Sequence, residues 1–193
     1  MKISKTHFLN VVTLSVVLFL GACSAKNDSD SKELAEDQND QKFEDSKIED
    51  DTEFAVAAAD GGMLEVQLGK LAQTASTTSN VKKLGQMMAD DHSKANEELS
   101  RLATQKNITL PAVLSDKNQK KYNDLASKTG KDFDDAYCDF MVKDHKEDID
   151  EFRKEAEKGN DMELRAWAAG KIATLEHHLE MAKQTEQAVA KLN

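Results

Sequence analysis

Proline, cysteine and aromatic residues are all scarce in this sequence. Pro111 is the single proline among 193 residues, and aromatic side chains make up 5% of the chain. From Phe54 onward, alanine, leucine, lysine, glutamate and methionine dominate, and β-branched residues are sparse. Few helix breakers and many strong helix formers argue against a sheet-rich fold. The composition therefore predicts an all-α protein.

A hydrophobic run of membrane-spanning length is also missing from the N-terminal segment. The apolar run from Phe8 to Leu20 has about 13 residues, whereas a spanning helix needs roughly 20. Lys2 and Lys5 precede the run, which ends in Leu20-Gly21-Ala22-Cys23. This ending resembles the lipobox of bacterial lipoproteins, so we expect a signal peptide over residues 1–22 and lipidation at Cys23. An ordinary signal peptide with an incidental cysteine, or a retained membrane anchor, is the alternative.

The lipobox resemblance also predicts where the protein resides and how its other cysteine behaves. Ser24, rather than aspartate, follows Cys23, which by resemblance indicates the outer membrane and its periplasmic face, with surface display as an alternative. Because Cys23 is consumed by lipid, Cys138 has no partner for an intramolecular disulfide. We therefore interpret Cys138 as a small buried hydrophobic residue.

Positive charge is in short supply, because the formal net charge is −10. Phosphate binding requires a basic patch, so the composition excludes nucleic acid as a partner. Residues 24–53 concentrate much of the acidity, with 12 acidic residues, four lysines and few apolar side chains. Such a segment buries too little apolar surface to offset chain entropy. We predict that residues 23–53 comprise the lipidated cysteine and a disordered acidic tether.

Residues 54–193 are predicted to fold as a bundle of four long helices. Apolar side chains recur at the 3.6-residue period of a helix. The predicted helices cover residues 52–75, 78–106, 131–157 and 161–191. The first and last pairs are joined by short links, so each pair forms an antiparallel hairpin. The link between the hairpins is long and contains an amphipathic piece at 116–127, which is the ferritin-like arrangement. A plain up-down bundle with an extra short helix is the alternative.

Each long helix places one ionisable residue on its apolar face, near its middle. These residues are Glu65, His92, His145 and His178. Imidazole and carboxylate groups that converge from facing helices are the usual way in which bundles bind metals. The pattern predicts a site for a transition metal such as Zn, Fe, Cu or Mn. A buried polar network without metal is the main alternative.

Further polar residues flank the four predicted ligands. Asp91 and Asp144 each precede a histidine, and Asp148 follows His145 by almost one turn. These carboxylates are expected to orient an imidazole or to supply an extra oxygen ligand. His177 points about 100° away from His178 around the helix, so we interpret it as peripheral.

Several of these segments together resemble one family of bacterial proteins. The segments are 89–99, 133–137, 141–145 and the pair His178-Leu179. They resemble the DUF4142 proteins, and the resemblance implies a ferritin-like four-helix bundle in an envelope protein without an assigned activity. The Glu-x-x-His motif of ferritin-like di-iron sites is absent from the sequence. A mononuclear, histidine-rich site is therefore favoured over a di-iron centre.

The sequence does not identify a catalytic residue. It contains no pattern that indicates a nucleophile–base pair or a phosphate-binding loop. The predicted function is an envelope lipoprotein that binds a transition metal, with a role in metal handling or envelope stress. A metal-free structural or interaction module is the first alternative, and a small metallo-oxidase is the second.

Overall fold

The computed structural model describes residues 30–192, and this part of the chain consists of six helices without a strand. The predicted signal peptide and Cys23 lie outside the described residues. In chain order the helices are α1 (Ser31–Phe43), α2 (Glu49–Ala75), α3 (Ser79–Lys106), α4 (Asp116–Ala126), α5 (Gly130–Lys158) and α6 (Met162–Ala190).

The four predicted long helices correspond to α2, α3, α5 and α6, with boundaries that differ by at most three residues. The amphipathic piece of the long link is α4. Gly159 follows the last residue of α5, as expected for a residue that ends a helix. The N-cap residue of α6 is Asp161. The Asp161 carboxylate accepts hydrogen bonds from the backbone amides of Glu163 and Leu164, which satisfies two otherwise unpaired donors.

The prediction of disorder is wrong for residues 31–53, which contain α1 and the first turn of α2. Few apolar side chains hold α1 in place, although Ala35 is buried. Instead, the buried Asn39 side chain accepts a hydrogen bond from the Thr109 amide and donates one to the Thr109 carbonyl. Ser31 Oγ accepts from two further amides of the α3–α4 link. The helix is therefore attached largely by polar contacts, which a count of apolar residues does not detect.

The long helices pack as two pairs, α2 with α3 and α5 with α6. Each pair is joined by a short link, so its helices run antiparallel. The α2–α3 pair approaches closely at Gly69 and Gly85, where a side chain on either glycine would meet the backbone of the other helix. Helix α4 packs against α2 and α5 within the long connection between the pairs. The all-α bundle is confirmed, and the ferritin-like topology stays a prediction.

The apolar core has two parts. The larger contains Leu68, Met88, Tyr137 and Cys138, whereas the smaller contains Leu99 and other residues nearer the α3–α4 link. Cys138 is fully buried, as predicted from the sequence. On α3, His92 lies between Met88 of one part and Leu99 of the other. A layer of polar side chains thus separates the two parts of the apolar core. This layer contains the residues predicted to bind metal.

None of the helices within residues 30–192 is both long enough and apolar enough to span a membrane.

Candidate metal centre

The four predicted ligands come from four different helices and meet inside the bundle. Glu65 lies on α2, His92 on α3, His145 on α5 and His178 on α6. All four are buried, with exposed fractions between 0% for His145 and 7% for His92. Each occupies a position three or four residues from apolar core residues, so the helix turns it inward with its neighbours.

The three histidines form one compact cluster. Their ring centroids are 5.2 to 5.6 Å apart, and each ring offers a nitrogen within 4.8 Å of a nitrogen of the other two. The closest pair is His145 Nε2 and His178 Nδ1, at 3.2 Å. Two nitrogens that bind one tetrahedral Zn²⁺ at about 2.0–2.1 Å lie about 3.3 Å apart. The spacing of this pair is therefore already close to that of two ligands of one ion.

The other nitrogen of each ring faces a hydrogen-bond acceptor. His145 Nδ1 lies 3.0 Å from the Met141 carbonyl, and His178 Nε2 lies 2.9 Å from Asp91 Oδ2. His92 Nδ1 lies 2.8 Å from Glu65 Oε2. Acceptors behind metal-binding imidazoles fix the ring orientation and the tautomer. We assign the hydrogens to these outer nitrogens, so the inner nitrogens carry the free lone pairs.

With the hydrogens on the outer nitrogens, neither His145 Nε2 nor His178 Nδ1 carries a proton. A neutral imidazole carries one hydrogen, and the Met141 carbonyl and Asp91 take those of His145 and His178. The 3.2 Å contact between the two rings therefore joins two acceptors. The buried His92 Nε2 also has no hydrogen-bond partner within residues 30–192. A cation bound by all three nitrogens would satisfy each of them.

An extra proton is a poor substitute for a cation here. Burial lowers the pKa of His92 to about 4 and the pKa of His145 to about 3. Burial also lowers the pKa of His178, and the hydrogen bond to Asp91 opposes this effect. All three rings are thus neutral at neutral pH, which is the form that binds metals.

Glu65 links the histidines to a second group of ionisable side chains. Its Oε2 pairs with His92 Nδ1, and its Oε1 lies 3.4 Å from His145 Nδ1. The carboxylates of Glu65, Asp144 and Asp148 each offer an oxygen within 4.8 Å of the others. Burial and the Asp144 carboxylate raise the pKa of Glu65 well above its usual value. Glu65 therefore occupies the boundary between a nitrogen cluster and an oxygen cluster.

The three predicted flanking carboxylates have different positions. Asp91 precedes His92 on α3, but it accepts a hydrogen bond from His178 on α6. Asp144 and Asp148 group with Glu65 instead. Asp144 also faces the ammonium group of Lys121 on α4, at 3.8 Å. Lys121 was not among the predicted residues, because the helical spacing within α4 and α5 does not show how the two helices pack against each other. His177 is exposed, as predicted.

A small pocket adjoins the histidine cluster. It has a volume of about 100 Å³, and its lining includes His92, His178, Lys94, Lys171 and Phe152. Three protein ligands leave one position free on a four-coordinate ion. Two of the three histidines thus line a pocket that is partly open to solvent.

The fold and the site define a helical-bundle protein with three histidines buried together in its core. The sequence profile of the DUF4142 family, a domain of unknown function, matches residues 32–185. The match covers most of the chain, so the protein belongs to the DUF4142 family. It begins at residue 32 and therefore includes α1. No curated protein and no solved structure matches the chain.

Proposed function

We propose that this protein binds a transition-metal ion in its core through His92 Nε2, His145 Nε2 and His178 Nδ1. The observation that carries the proposal is the 3.2 Å contact between His145 Nε2 and His178 Nδ1. Both outer nitrogens are committed to acceptors, so an ion is the natural partner of the inner pair. In this proposal Glu65 orients His92, rather than serving as the fourth ligand expected from the sequence.

The ligand set points to particular metals and to a particular kind of site. Neutral imidazoles suit Zn, Cu, Fe and Ni, and three nitrogens leave an open coordination position beside the pocket. A closed structural site would have four protein ligands. We therefore propose an exchangeable ion and a role in metal handling.

The cell envelope is the proposed setting for this role. The resemblance of residues 20–23 to a lipobox supports attachment through a lipid on Cys23, with the bundle facing the periplasm. The 12 acidic residues of segment 24–53, set against four lysines, would keep the bundle away from anionic lipid headgroups, since like charges repel.

Zinc binding to the protein without a histidine tag tests the proposal. Calorimetric titration should show one Zn²⁺ per chain and an increase in Tm, because the ion binds the folded state alone. The variant His145→Gln should weaken binding by more than about 100-fold, since losing a ligand costs more than losing an orienting hydrogen bond. The matched control is His177→Gln, which changes an exposed histidine and should bind zinc as the wild type does.

Circular dichroism should show that both variants are folded before the titration is interpreted. Equal zinc affinity in the wild type and in folded His145→Gln would contradict the proposal. Sub-stoichiometric zinc in the wild type would contradict it as well, and would favour a metal-free polar core.

A further inference from the structure

We infer that Glu65, Asp144 and Asp148 form a second cation site beside the histidine cluster, one that takes a hard divalent cation such as Mn²⁺. The inference goes beyond the proposed function, because the three oxygen ligands do not require an ion on the histidines. The two sites would share Glu65, whose Oε2 pairs with His92 Nδ1 and whose carboxylate also lies beside the two aspartates.

A buried oxygen without a partner is the first observation that supports this site. Glu65 has an exposed fraction of 1%, and its Oε1 accepts no hydrogen bond from the described part of the chain. Such an oxygen is costly to bury, because it has lost its hydrogen bonds to water. His145 Nδ1 lies 3.4 Å away but bonds to the Met141 carbonyl instead. Oxygens of Asp144 and Asp148 lie within 4.8 Å of a Glu65 oxygen and of each other. A cation among them would satisfy all three carboxylates.

The charge balance of the cluster is the second observation. The Lys121 ammonium lies 3.8 Å from Asp144, too long for a hydrogen bond. Within residues 30–192 no other lysine or arginine lies within ion-pair distance of the three carboxylates, so a divalent ion would supply positive charge that the cluster otherwise lacks.

Space and access are the third observation. A cavity of about 30 Å³ is lined by Glu65, His92 and Asp148, among others, which is enough for one water-sized occupant. On the outer side, a groove of about 360 Å³ between α1, α4 and α5 is lined by Asp144, Asp148 and further acidic residues. A cleft lined mainly by one sign of charge concentrates ions of the opposite sign. The groove thus leads cations toward the carboxylates.

The chemistry of the ligands determines the class of ion. Three carboxylates provide only oxygen atoms, which suit Mg²⁺, Ca²⁺ and Mn²⁺. The histidine cluster offers nitrogen atoms and suits Zn²⁺ or Cu²⁺. The two neighbouring sites would therefore select different ions.

Mn²⁺ titration followed by electron paramagnetic resonance tests the inference, because bound Mn²⁺ loses the sharp signal of the free ion. The background is the full-length His145→Gln variant, which disrupts the nitrogen cluster and keeps the three carboxylates. We expect one bound Mn²⁺ per chain. Adding Asp148→Asn should weaken binding by more than about tenfold, since the ligand loses its charge. The matched control is Asp150→Asn, an exposed position on the same helix, which should leave binding unchanged.

A third substitution, Lys121→Met, distinguishes an ion site from a structural ion-pair network. Removing the ammonium that competes for the carboxylates should strengthen Mn²⁺ binding. If Lys121 serves only in a structural ion-pair network, its removal should not increase the Mn²⁺ affinity. Failure to bind Mn²⁺ in folded His145→Gln, or equal affinity with and without Asp148→Asn, would overturn the inference. Zinc binding to the wild type is measured separately, so the failure of one site is distinguishable from the failure of the other.

Discussion

Asp91 orients a buried imidazole from an exposed position. Its side chain is 47% exposed, whereas the His178 side chain that it contacts is 1% exposed. The carboxylate accepts from His178 Nε2 at 2.9 Å, and this bond leaves Nδ1 free toward His145. A surface residue therefore determines which nitrogen of a core histidine is available for an ion.

The substitution Asp91→Ala tests this role at the scale of one residue. Without the acceptor, the His178 hydrogen can move to Nδ1, and zinc affinity should fall by about 10- to 100-fold. The free energy of unfolding of the metal-free protein should change little, because a hydrogen moved to His178 Nδ1 can bond to His145 Nε2 instead. The control Asp90→Ala removes a neighbouring exposed carboxylate that accepts from Gln86. Equal zinc affinity in the two variants would show that Asp91 does not orient His178.

Helical spacing was sufficient to predict which residues meet, but not which atoms face each other. Glu65, His92 and His145 each lie three or four residues from core positions, so their convergence could be predicted. Asp91 and Asp144 both precede a histidine, yet one reaches α6 and the other joins Glu65. That difference depends on the rotation of α3 and α5 relative to their neighbours, which a period of 3.6 residues does not specify.

At the scale of helices, the approach of α2 to α3 depends on two glycines. A Cβ atom on Gly69 would lie against the Gly85 carbonyl oxygen and 2.9 Å from the Ala89 nitrogen. Backbone atoms cannot move aside as flexible side chains do, so the helices would have to separate. Gly61, on the same helix as Gly69, has open space around its Cβ position.

Gly69 and Gly61 provide a matched pair of substitutions on α2. Gly69→Ala should lower the free energy of unfolding by about 1–3 kcal/mol, because overpacking forces the backbones apart. Gly61→Ala should raise it by roughly 0.5–1 kcal/mol, since alanine favours a helix and meets no neighbour. Urea unfolding of both variants measures the difference. A stabilised Gly69→Ala variant would show that α2 and α3 are not in close contact there.

The boundaries of the helices were easier to predict than their packing. Gly159 and Pro111 act locally, through backbone conformation, so their effects are visible in the sequence. The contact between Gly69 and Gly85 joins residues from two helices, and either glycine alone indicates only a weak point in a helix. The position of α4 across α2 and α5 likewise depends on a tertiary contact: the buried Asp60 carboxylate, which accepts three hydrogen bonds from Ser115 and Asn118.

At the scale of the whole molecule, α1 is an addition to the bundle rather than part of its core. It contacts α2 and the α3–α4 link, where Asn39 and Lys42 bond to the backbone. Its acidic composition suggested disorder because disorder is inferred from low apolar content. The backbone hydrogen bonds of a helix offset part of the conformational entropy that is lost when it forms. A few further hydrogen bonds, each with a net contribution of about 1 kcal/mol, are then enough to hold the helix in position.

The substitution Asn39→Ala should release α1 without unfolding the bundle. It removes a buried amide that makes two hydrogen bonds to Thr109, at 2.7 and 2.9 Å, and leaves that backbone pair unsatisfied at a cost of about 1–3 kcal/mol. Amide hydrogen exchange should accelerate over residues 31–43 and stay slow in α2, α3, α5 and α6. Asp40→Ala, at an exposed position of the same helix, should exchange as the wild type does. Faster exchange throughout the bundle would instead make α1 an integral part of the fold, consistent with its inclusion in the family match.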